Sequence, residues 1–160
     1  MDERLSRLLL EDEFRPTVAR LRCFRGIDTL SAFALHVEIG DWQRFSCPTQ
    51  LAAWVGLVPS LDQSGESSRS GSITKTGSKY ARRLLVEAAW HYQRGPMIGV
   101  ALSRRQEGQP AHVLQIAWRA QHRLHRLYAR LRARGKHENV VTVAVARELA
   151  CFLWAAAVAV

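Results

Sequence analysis

The sequence GLVPSLDQSGESSRSGSITKTGSKYARR, residues 56–83, lies between two stretches with a helical apolar pattern. Its middle is rich in Gly, Ser, Thr and charged residues, which predicts a long loop. Loops of this length are uncommon in compact domains and are usually either functional or disordered. Ser64 is followed by Gly65, which would let backbone approach a ligand closely. The cations in this stretch are Arg69, Lys75, Lys79, Arg82 and Arg83.

A serine hydroxyl among phosphate-binding groups suggests phosphodiester chemistry. The hydroxyl is a weak nucleophile that needs a base, a metal or a cationic field to activate it. The basic side chains could stabilise charge on an attacked phosphate, but no general base for Ser64 is evident in the sequence. A flexible Ser-Gly link is the alternative reading.

The sequence on both sides of this loop predicts an all-α fold. It has 160 residues and 48% apolar content, enough for one domain with a substantial core, and strand-like alternation is nearly absent. We therefore expect a compact helical domain with one long Gly/Ser-rich loop. Helices are predicted before the loop, from about residue 78 after it, around residues 98–105, over about 111–133, and from about 139 onward.

Residues 21–41 read as a helix, a tight turn containing Gly26, and a second helix capped by Asp28 or Thr29. Such a pair can present backbone N–H groups to a phosphate at the second helix's N-terminus. It resembles a helix-hairpin-helix, which binds DNA backbone without reading sequence. A simple turn between helices is the alternative.

The positive charge is concentrated in the second part of the chain. Residues 1–60 hold seven arginines against eight acids, whereas residues 61–160 hold sixteen Lys or Arg against six acids. This imbalance indicates a polyanionic partner, with nucleic acid first and an acidic membrane surface second. A solvated basic face is the third reading.

The predicted helix over 111–133 carries much of this charge. No acid lies between residues 111 and 136, so its arginines have no partner within their own helix and are available to phosphates or to carboxylates elsewhere. We interpret His122 and His125 as surface residues, because no third metal ligand lies nearby. The arginines proposed to contact DNA are Arg119, Arg123 and Arg126.

Several classes of protein are disfavoured. The three cysteines lie far apart without CxxC spacing, which fits a reducing cytoplasm rather than a disulfide framework or zinc site. Acids stand near the N-terminus where a signal peptide needs basic residues. The final apolar run of twelve residues, 149–160, is too short to span a bilayer, so we expect a core or oligomer-interface helix and a cytoplasmic protein. Phosphate-binding nucleotide motifs and clusters of acids for magnesium are not found.

The ordered motifs resemble the C-terminal domain of the transposases named for IS110, IS116 and IS902. They are RGIDTLSAFALHVEIGDWQRF at 25–45 and QLAAWVGLVPSLDQSGESSRSGSITKTGSKYARRLLVEAAWHYQR at 50–94. GQPAHVLQIAWRAQHRL at 108–124 and VAVARELACFLW at 143–154 are also similar to that family. The resemblance covers roughly residues 15–156.

The resemblance implies a DNA transposase or recombinase in which Ser64 attacks DNA. Family members also carry an N-terminal RuvC-like domain with four metal-binding acids, and some use a noncoding guide RNA. We find no such domain in this sequence, so we expect a truncated protein or a half that needs a partner chain, inactive alone. Residues 1–20 would end a helical linker, and 21–160 would form the transposase domain, with the serine loop at about 56–79 and a basic helical part at about 80–160. No cofactor is expected in this chain; magnesium is implied for the RuvC-like domain.

Two departures from the family motif stand in the loop. Leu61-Asp62-Gln63 replaces Glu-Tyr-Ser before the Ser-Gly pair, and Ser78 replaces Asn after Gly77. The first changes the immediate neighbours of Ser64. A non-catalytic DNA- or RNA-binding remnant therefore remains an alternative function, and a helical homo-oligomerisation module is a third.

Overall fold

The computed structural model describes residues 14–64 and 67–159, and it describes side chains in that range outside residues 61–70. This part of the chain is mostly helical, as the sequence predicts. The α-helices are α1 (Arg15–Leu21), α2 (Thr29–Ile39), α3 (Pro48–Trp54), α4 (Lys79–Ala89), α5 (Val100–Gln106), α6 (Ala111–Ala133) and α7 (Glu138–Val158). Short 3-10 helices span Trp42–Arg44 and Trp90–Gln93, and two strands, β1 (Pro59–Ser64) and β2 (Ser67–Ile73), form an antiparallel pair.

The last helix, α7, lies at the centre of the fold. It packs against α3, α4 and α6, and also contacts α1. Val145, Leu149 and Leu153 are fully buried along it. By length and composition α7 could cross a membrane, but half of its most apolar window is buried within the protein. The helix occupies the stretch predicted from about residue 139 onward, but the expectation that its apolar segment is too short to span a bilayer was wrong, because the helix has 21 residues. Its packing makes it the core helix.

The N-terminal helices are bounded by local signals that the sequence shows. Pro16 stands in the first turn of α1, where its missing N–H costs nothing. The Asp28 carboxylate accepts a hydrogen bond from the Ser31 N–H and caps α2, at 2.7 Å. Asp41 caps the following 3-10 helix through the Gln43 N–H. Trp42 and Phe45 are buried and join this region to the core.

The predicted long loop contains a two-stranded hairpin. Pro59 pairs with Ile73 at its base and Ser64 pairs with Ser67 at its far end, with an irregularity between Pro59 and Leu61. Alternating apolar residues mark a strand when one face is buried on a core. Among the strand residues whose side chains are described, only Ile73 packs against the core. The strand sequences, PSLDQS and SSRSGSI, do not show the alternation on which sequence analysis depends.

Candidate nucleic-acid interface and serine hairpin

The predicted nucleophile, Ser64, is the last residue of β1. It pairs in register with Ser67, the first residue of β2, so it lies at the end of the hairpin opposite the Pro59–Ile73 base. Arg69 takes the register position opposite Asp62. Gly65, which is predicted to allow close approach of a ligand, lies outside the described residues.

The base of the hairpin is closed by main-chain hydrogen bonds to the short segment that leads from α3 into β1. The Lys75 N–H donates to the Gly56 carbonyl at 3.1 Å, and the Thr74 N–H donates to the Val58 carbonyl at 3.0 Å. Gly56 has φ +71°, and a Cβ there would lie 2.4 Å from the Thr76 nitrogen. The two segments therefore approach more closely than any side chain would allow.

Gly77 continues this close approach. Its φ is +68°, and a Cβ at this position would lie 1.8 Å from the Trp54 carbonyl oxygen. Lys75 has φ +56°, a left-handed conformation that is uncommon outside glycine. Gly77 and the left-handed Lys75 thus shape the turn between β2 and α4, and Gly56 contacts this turn from the segment after α3.

Arg82 ties this turn to α3. Its Nη1 donates to the Val55 carbonyl and to the Thr76 carbonyl, each at 2.8 Å. The guanidinium is half-buried. Its proposed contact with DNA stays a prediction, but the structure gives Arg82 a second role, which is to hold two backbone segments together.

Ser78 joins the hairpin base to α2. Its Oγ donates to Glu38 Oε2 at 2.5 Å and accepts a hydrogen bond from the Ala81 N–H at 3.0 Å, which caps α4. Glu38 is exposed and accepts this bond from a residue forty positions away in the sequence.

The remaining cations of this region face solvent. Lys75 and Lys79 are exposed and make no ion pair with any described residue. Arg83 is exposed and pairs with Glu87, its neighbour one helical turn along, at 2.8 Å. Such exposed pairs are weak, so the Arg83 guanidinium can exchange this partner for a phosphate.

The α6 arginines divide into two groups. Arg119 and Arg126 lie on the exposed face, where Arg126 Nε contacts only the His122 carbonyl of its own helix, at 3.3 Å. Arg123 forms a bidentate ion pair with Glu148 of α7 at 2.8 and 2.9 Å. Arg123 thus has a carboxylate partner on the neighbouring helix. Trp118 is also exposed on this face.

The two histidines of α6 differ. His122 is exposed and its ring lies edge-on to that of Trp118, with the centroids 4.6 Å apart. His125 is half-buried, and its Nδ1 lies 3.1 Å from the Tyr92 carbonyl oxygen. The interpretation of both as surface residues is therefore correct for His122 and wrong for His125, because the chain after α4 folds over it.

Gly26 stands in the turn between α1 and α2 with φ +83°. A Cβ there would lie 2.7 Å from the Ala88 carbonyl oxygen and 3.0 Å from His91. The turn is therefore packed against the end of α4, which explains the need for glycine. Its proposed contact with DNA is a separate prediction.

Comparison with known proteins identifies the family. Residues 18–96, from within α1 through the hairpin and α4, match the family described as "Transposase IS116/IS110/IS902 family". The chain belongs to the IS116/IS110/IS902 transposase family. The matched segment contains Ser64 and every contact that fastens the hairpin.

Members of this transposase family that resemble the chain include a putative transposase, y4qE, of Sinorhizobium fredii. It is 46% identical over 140 residues, which are 88% of this chain and 36% of that protein. The transposase for insertion sequence element IS1328 of Yersinia enterocolitica is 30% identical over 96% of this chain and 39% of its own length. That for IS1533 of Leptospira borgpetersenii is 29% identical over 85% of this chain and 40% of its own length. The chain thus spans well under half of these transposases.

The transposase resemblance implies magnesium, but for another domain. Within the described residues no three His, Cys, Asp or Glu side chains come together as a metal site. This part of the transposase therefore does not offer a ligand set that fits magnesium.

Sequence reasoning missed the residues that position the transposase hairpin and its surroundings. Glu38 accepts a hydrogen bond from Ser78, and Arg25 and Arg105 each donate to a backbone carbonyl of a distant segment. His91 lies beside Gly26, which is also distant in sequence. No local pattern marks such residues. The Gly-Ser dipeptide at 77–78 was the one signal available, since it predicts a turn followed by a helix cap.

Proposed function

We propose that this chain is the DNA-binding and strand-cleaving part of an insertion-element transposase, with Ser64 as the nucleophile. The observation that carries the proposal is the family match over residues 18–96, which contains Ser64 together with the anchor of its hairpin. Exposed lysines beside that anchor support it, because a transposase needs cations where it holds a DNA phosphate.

The chemistry is a transesterification. Ser64 Oγ attacks a backbone phosphorus, an O–P bond to Ser64 forms, and the bond to the leaving deoxyribose oxygen breaks. The serine proton goes to a base, and the leaving oxygen takes up a proton. A strand end with a free hydroxyl then attacks the Ser64–DNA phosphodiester, which restores the serine and joins the new strands without any net oxidation.

Lys75 and Lys79 are suited to hold the attacked DNA. Both are exposed next to the hairpin base, and the Lys75 backbone is fixed by its bond to Gly56. A cation on a fixed segment can stabilise negative charge at the phosphate without reorganising during the reaction. Arg69 on β2 and Arg83 on α4 extend the same basic stretch of sequence.

The proposal assigns a second DNA contact to the exposed face of α6. Arg119 and Arg126 are free of carboxylate partners among the described residues, whereas Arg123 is paired with Glu148. Arg119 and Arg126 are therefore expected to contribute more to DNA binding than Arg123. Arg123 must first leave Glu148, and the loss of that ion pair offsets part of the free energy that a phosphate contact provides.

A covalent adduct tests the nucleophile. The protein would be mixed with element-end DNA and with the remaining portion of a family transposase, supplied in trans as the source of the metal-binding acids that the resemblance implies. Wild-type protein should yield a protein–DNA adduct that survives denaturing gel electrophoresis, and Ser64→Ala should not. Ser67→Ala is the matched control, because Ser67 pairs with Ser64 across the hairpin.

An adduct that persists in Ser64→Ala but vanishes in Ser67→Ala would move the nucleophile to Ser67. If no protein forms an adduct yet all bind DNA, the chain is a DNA-binding domain without this chemistry. Binding should then weaken steeply with salt, since each neutralised phosphate contributes a slope of about −0.9 in log affinity against log salt concentration. If the affinity for DNA does not change with salt concentration, the protein does not bind DNA through its backbone phosphates, and this part of the proposal fails.

A further inference from the structure

Two of the three cysteines are brought together by the packing of α3 against α7. Cys47 is the N-cap residue of α3 and Cys151 lies on α7, and both thiols are half-buried and free. Helix α3 packs directly against α7, and the 3-10 helix that precedes α3 also contacts α7. We call Cys47 and Cys151 the thiol pair.

One hydrogen bond fixes how α7 lies against the segment before α3. Trp154 Nε1 of α7 donates to the Trp42 carbonyl at 3.1 Å. Cys151 stands three residues before Trp154, and residues three apart share one face of a helix. Cys47 follows Trp42 by five residues, and Phe45 is buried between them. The face of α7 that carries Cys151 is therefore turned toward the segment from which Cys47 begins α3.

The electrostatic environment of Cys151 also indicates that the two thiols are neighbours. Burial raises the pKa of the Cys151 thiol, and the positive charge of Arg147 opposes that change. Negative charge on Glu148 or on a Cys47 thiolate raises the pKa of Cys151 further. A Cys47 thiolate has this effect only when the two sulfur atoms lie near one another. In the reduced protein Cys151 is therefore the thiol that keeps its proton.

Cys47 is the more reactive member of the thiol pair. The Thr49 hydroxyl lies 3.1 Å from its sulfur. Hydrogen bonds from that hydroxyl and from the Gln50 N–H lower the pKa of Cys47. The thiolate is the form that attacks a disulfide. Cys23 does not compete, because it is fully buried and its raised pKa keeps it protonated.

We propose that the thiol pair is a site of reversible oxidation, in which Cys47 attacks the oxidant and Cys151 resolves the product. The oxidant is a low-molecular-weight disulfide of the glutathione class. The Cys47 thiolate attacks one sulfur of oxidised glutathione, a mixed disulfide forms, and one glutathione thiolate leaves. Cys151 then loses its proton to solvent and attacks the Cys47 sulfur, which releases the second glutathione thiolate. The two protein thiols lose two electrons, and oxidised glutathione gains them.

The first step of this oxidation prepares Cys151 for the second. A Cys47 side chain in a mixed disulfide carries no negative charge, so it no longer raises the pKa of Cys151, whereas the Arg147 charge still lowers it. The Cys151 S–H donates to the Arg147 carbonyl at 3.4 Å. A thiol is a weak donor, so this bond is readily exchanged for the new S–S bond.

The disulfide would fix the start of α3 against α7 without any step that involves DNA. It closes a loop of about 100 residues, and the longer the closed loop, the more a cross-link restricts the unfolded chain. The other end of α3 carries the Val55 carbonyl that Arg82 binds. Oxidation would therefore secure the helix to which the serine hairpin is tied.

Mass spectrometry tests the disulfide directly. The three cysteines lie on separate tryptic peptides, residues 23–25, 45–69 and 148–160. The reduced full chain would be incubated with oxidised glutathione at about pH 8, where a thiol of lowered pKa is the first to react. Remaining thiols would be blocked with N-ethylmaleimide in denaturant before digestion without reductant. The expected product joins peptide 45–69 to peptide 148–160, while peptide 23–25 carries the blocking group.

Two variants separate the roles of the thiols. Cys151→Ser should accumulate the mixed disulfide between Cys47 and glutathione, because the resolving thiol is missing. Cys47→Ser should react with oxidised glutathione severalfold more slowly than Cys151→Ser, because both of its remaining thiols have a raised pKa. Equal reaction rates in the two variants would contradict the role of Cys47 as the attacking thiol.

The wild-type protein alone also decides the proposal. Its disulfide should form at a rate independent of protein concentration, and dithiothreitol should restore three free thiols. A mixed disulfide that persists on Cys47, or a disulfide between two molecules that appears as a dimer on a non-reducing gel, would show that Cys151 does not reach Cys47. The oxidised protein should unfold at a higher urea concentration than the reduced one. An unchanged or lower midpoint would show that the native fold does not hold the two sulfur atoms at bonding distance.

Discussion

At the residue scale, Gly77 determines how closely the hairpin base approaches α3. It combines a left-handed backbone with a space that is already filled, because the Trp54 carbonyl oxygen occupies the place of a Cβ. The two costs can be separated, since Gly108 has a similar φ of +72° but nothing within 4 Å of its Cβ position.

Gly77→Ala should therefore destabilise the protein more than Gly108→Ala. A left-handed alanine costs about 1–2 kcal/mol, which is the whole expected effect at position 108. At position 77 the backbone of α3 or of the turn must also move, so we expect a loss of about 3 kcal/mol or more. Urea denaturation measures both free energies of unfolding, and equal losses would mean that the contact with Trp54 does not matter.

At the scale of elements, the hairpin differs from the helices in how it is held. The helices bury an apolar face, whereas the hairpin base is closed by backbone hydrogen bonds to residues 56 and 58 and is tied to the end of α3 by the Arg82 clamp. An element fixed in this way opens locally at a lower free energy than the core does.

Arg82→Gln should loosen the hairpin base. Removing a charged donor from two carbonyls costs about 1–3 kcal/mol, and the effect should be local. Hydrogen exchange at the Thr74 and Lys75 amides, which bond to residues 58 and 56, should accelerate at least severalfold. Arg83→Gln is the control, because Arg83 contacts only the exposed Glu87 carboxylate; the same acceleration in that variant would argue against the clamp.

At the scale of the whole molecule, α7 links α1, α3, α4 and α6 into one core. Leu149 on α7 and Cys23 after α1 are both fully buried in the same cluster. Burial raises the pKa of the Cys23 thiol to about 11, so at neutral pH it is protonated as well as shielded. Cys47, by contrast, has a pKa lowered by hydrogen bonds from Thr49 and Gln50.

Alkylation should therefore distinguish the two thiols. Since the thiolate is the reactive form, iodoacetamide near pH 8 should modify Cys47 first and Cys23 only when the core opens. Leu149→Ala removes buried volume and should destabilise the core by about 2–5 kcal/mol. It should accelerate the labelling of Cys23 and leave that of Cys47 unchanged, as mass spectrometry of peptides would show. Rapid labelling of Cys23 in the wild-type protein would contradict this account of the core.

The helices and their caps were predictable because their signals are local. Asp28 before α2 and Pro16 in α1 act within one turn, and the apolar spacing of α6 reflects the helical period directly. The strands were not predictable, because their sequences, PSLDQS and SSRSGSI, do not alternate apolar and polar residues. The ion pair of Arg123 with Glu148 also joins residues that only folding brings together.

The helical class, the basic second half and the family of the serine stretch can be read from the amino-acid sequence, because composition, period and ordered motifs are properties of the chain. Folding is what makes the stretch a hairpin, lets Arg82 tie its base to the end of α3, and brings Arg25, His91 and Arg105 to the lining of one cleft. Those arrangements join residues from 6 to more than 80 positions apart. Such contacts depend on how helices pack around α7, which no local pattern of residues encodes.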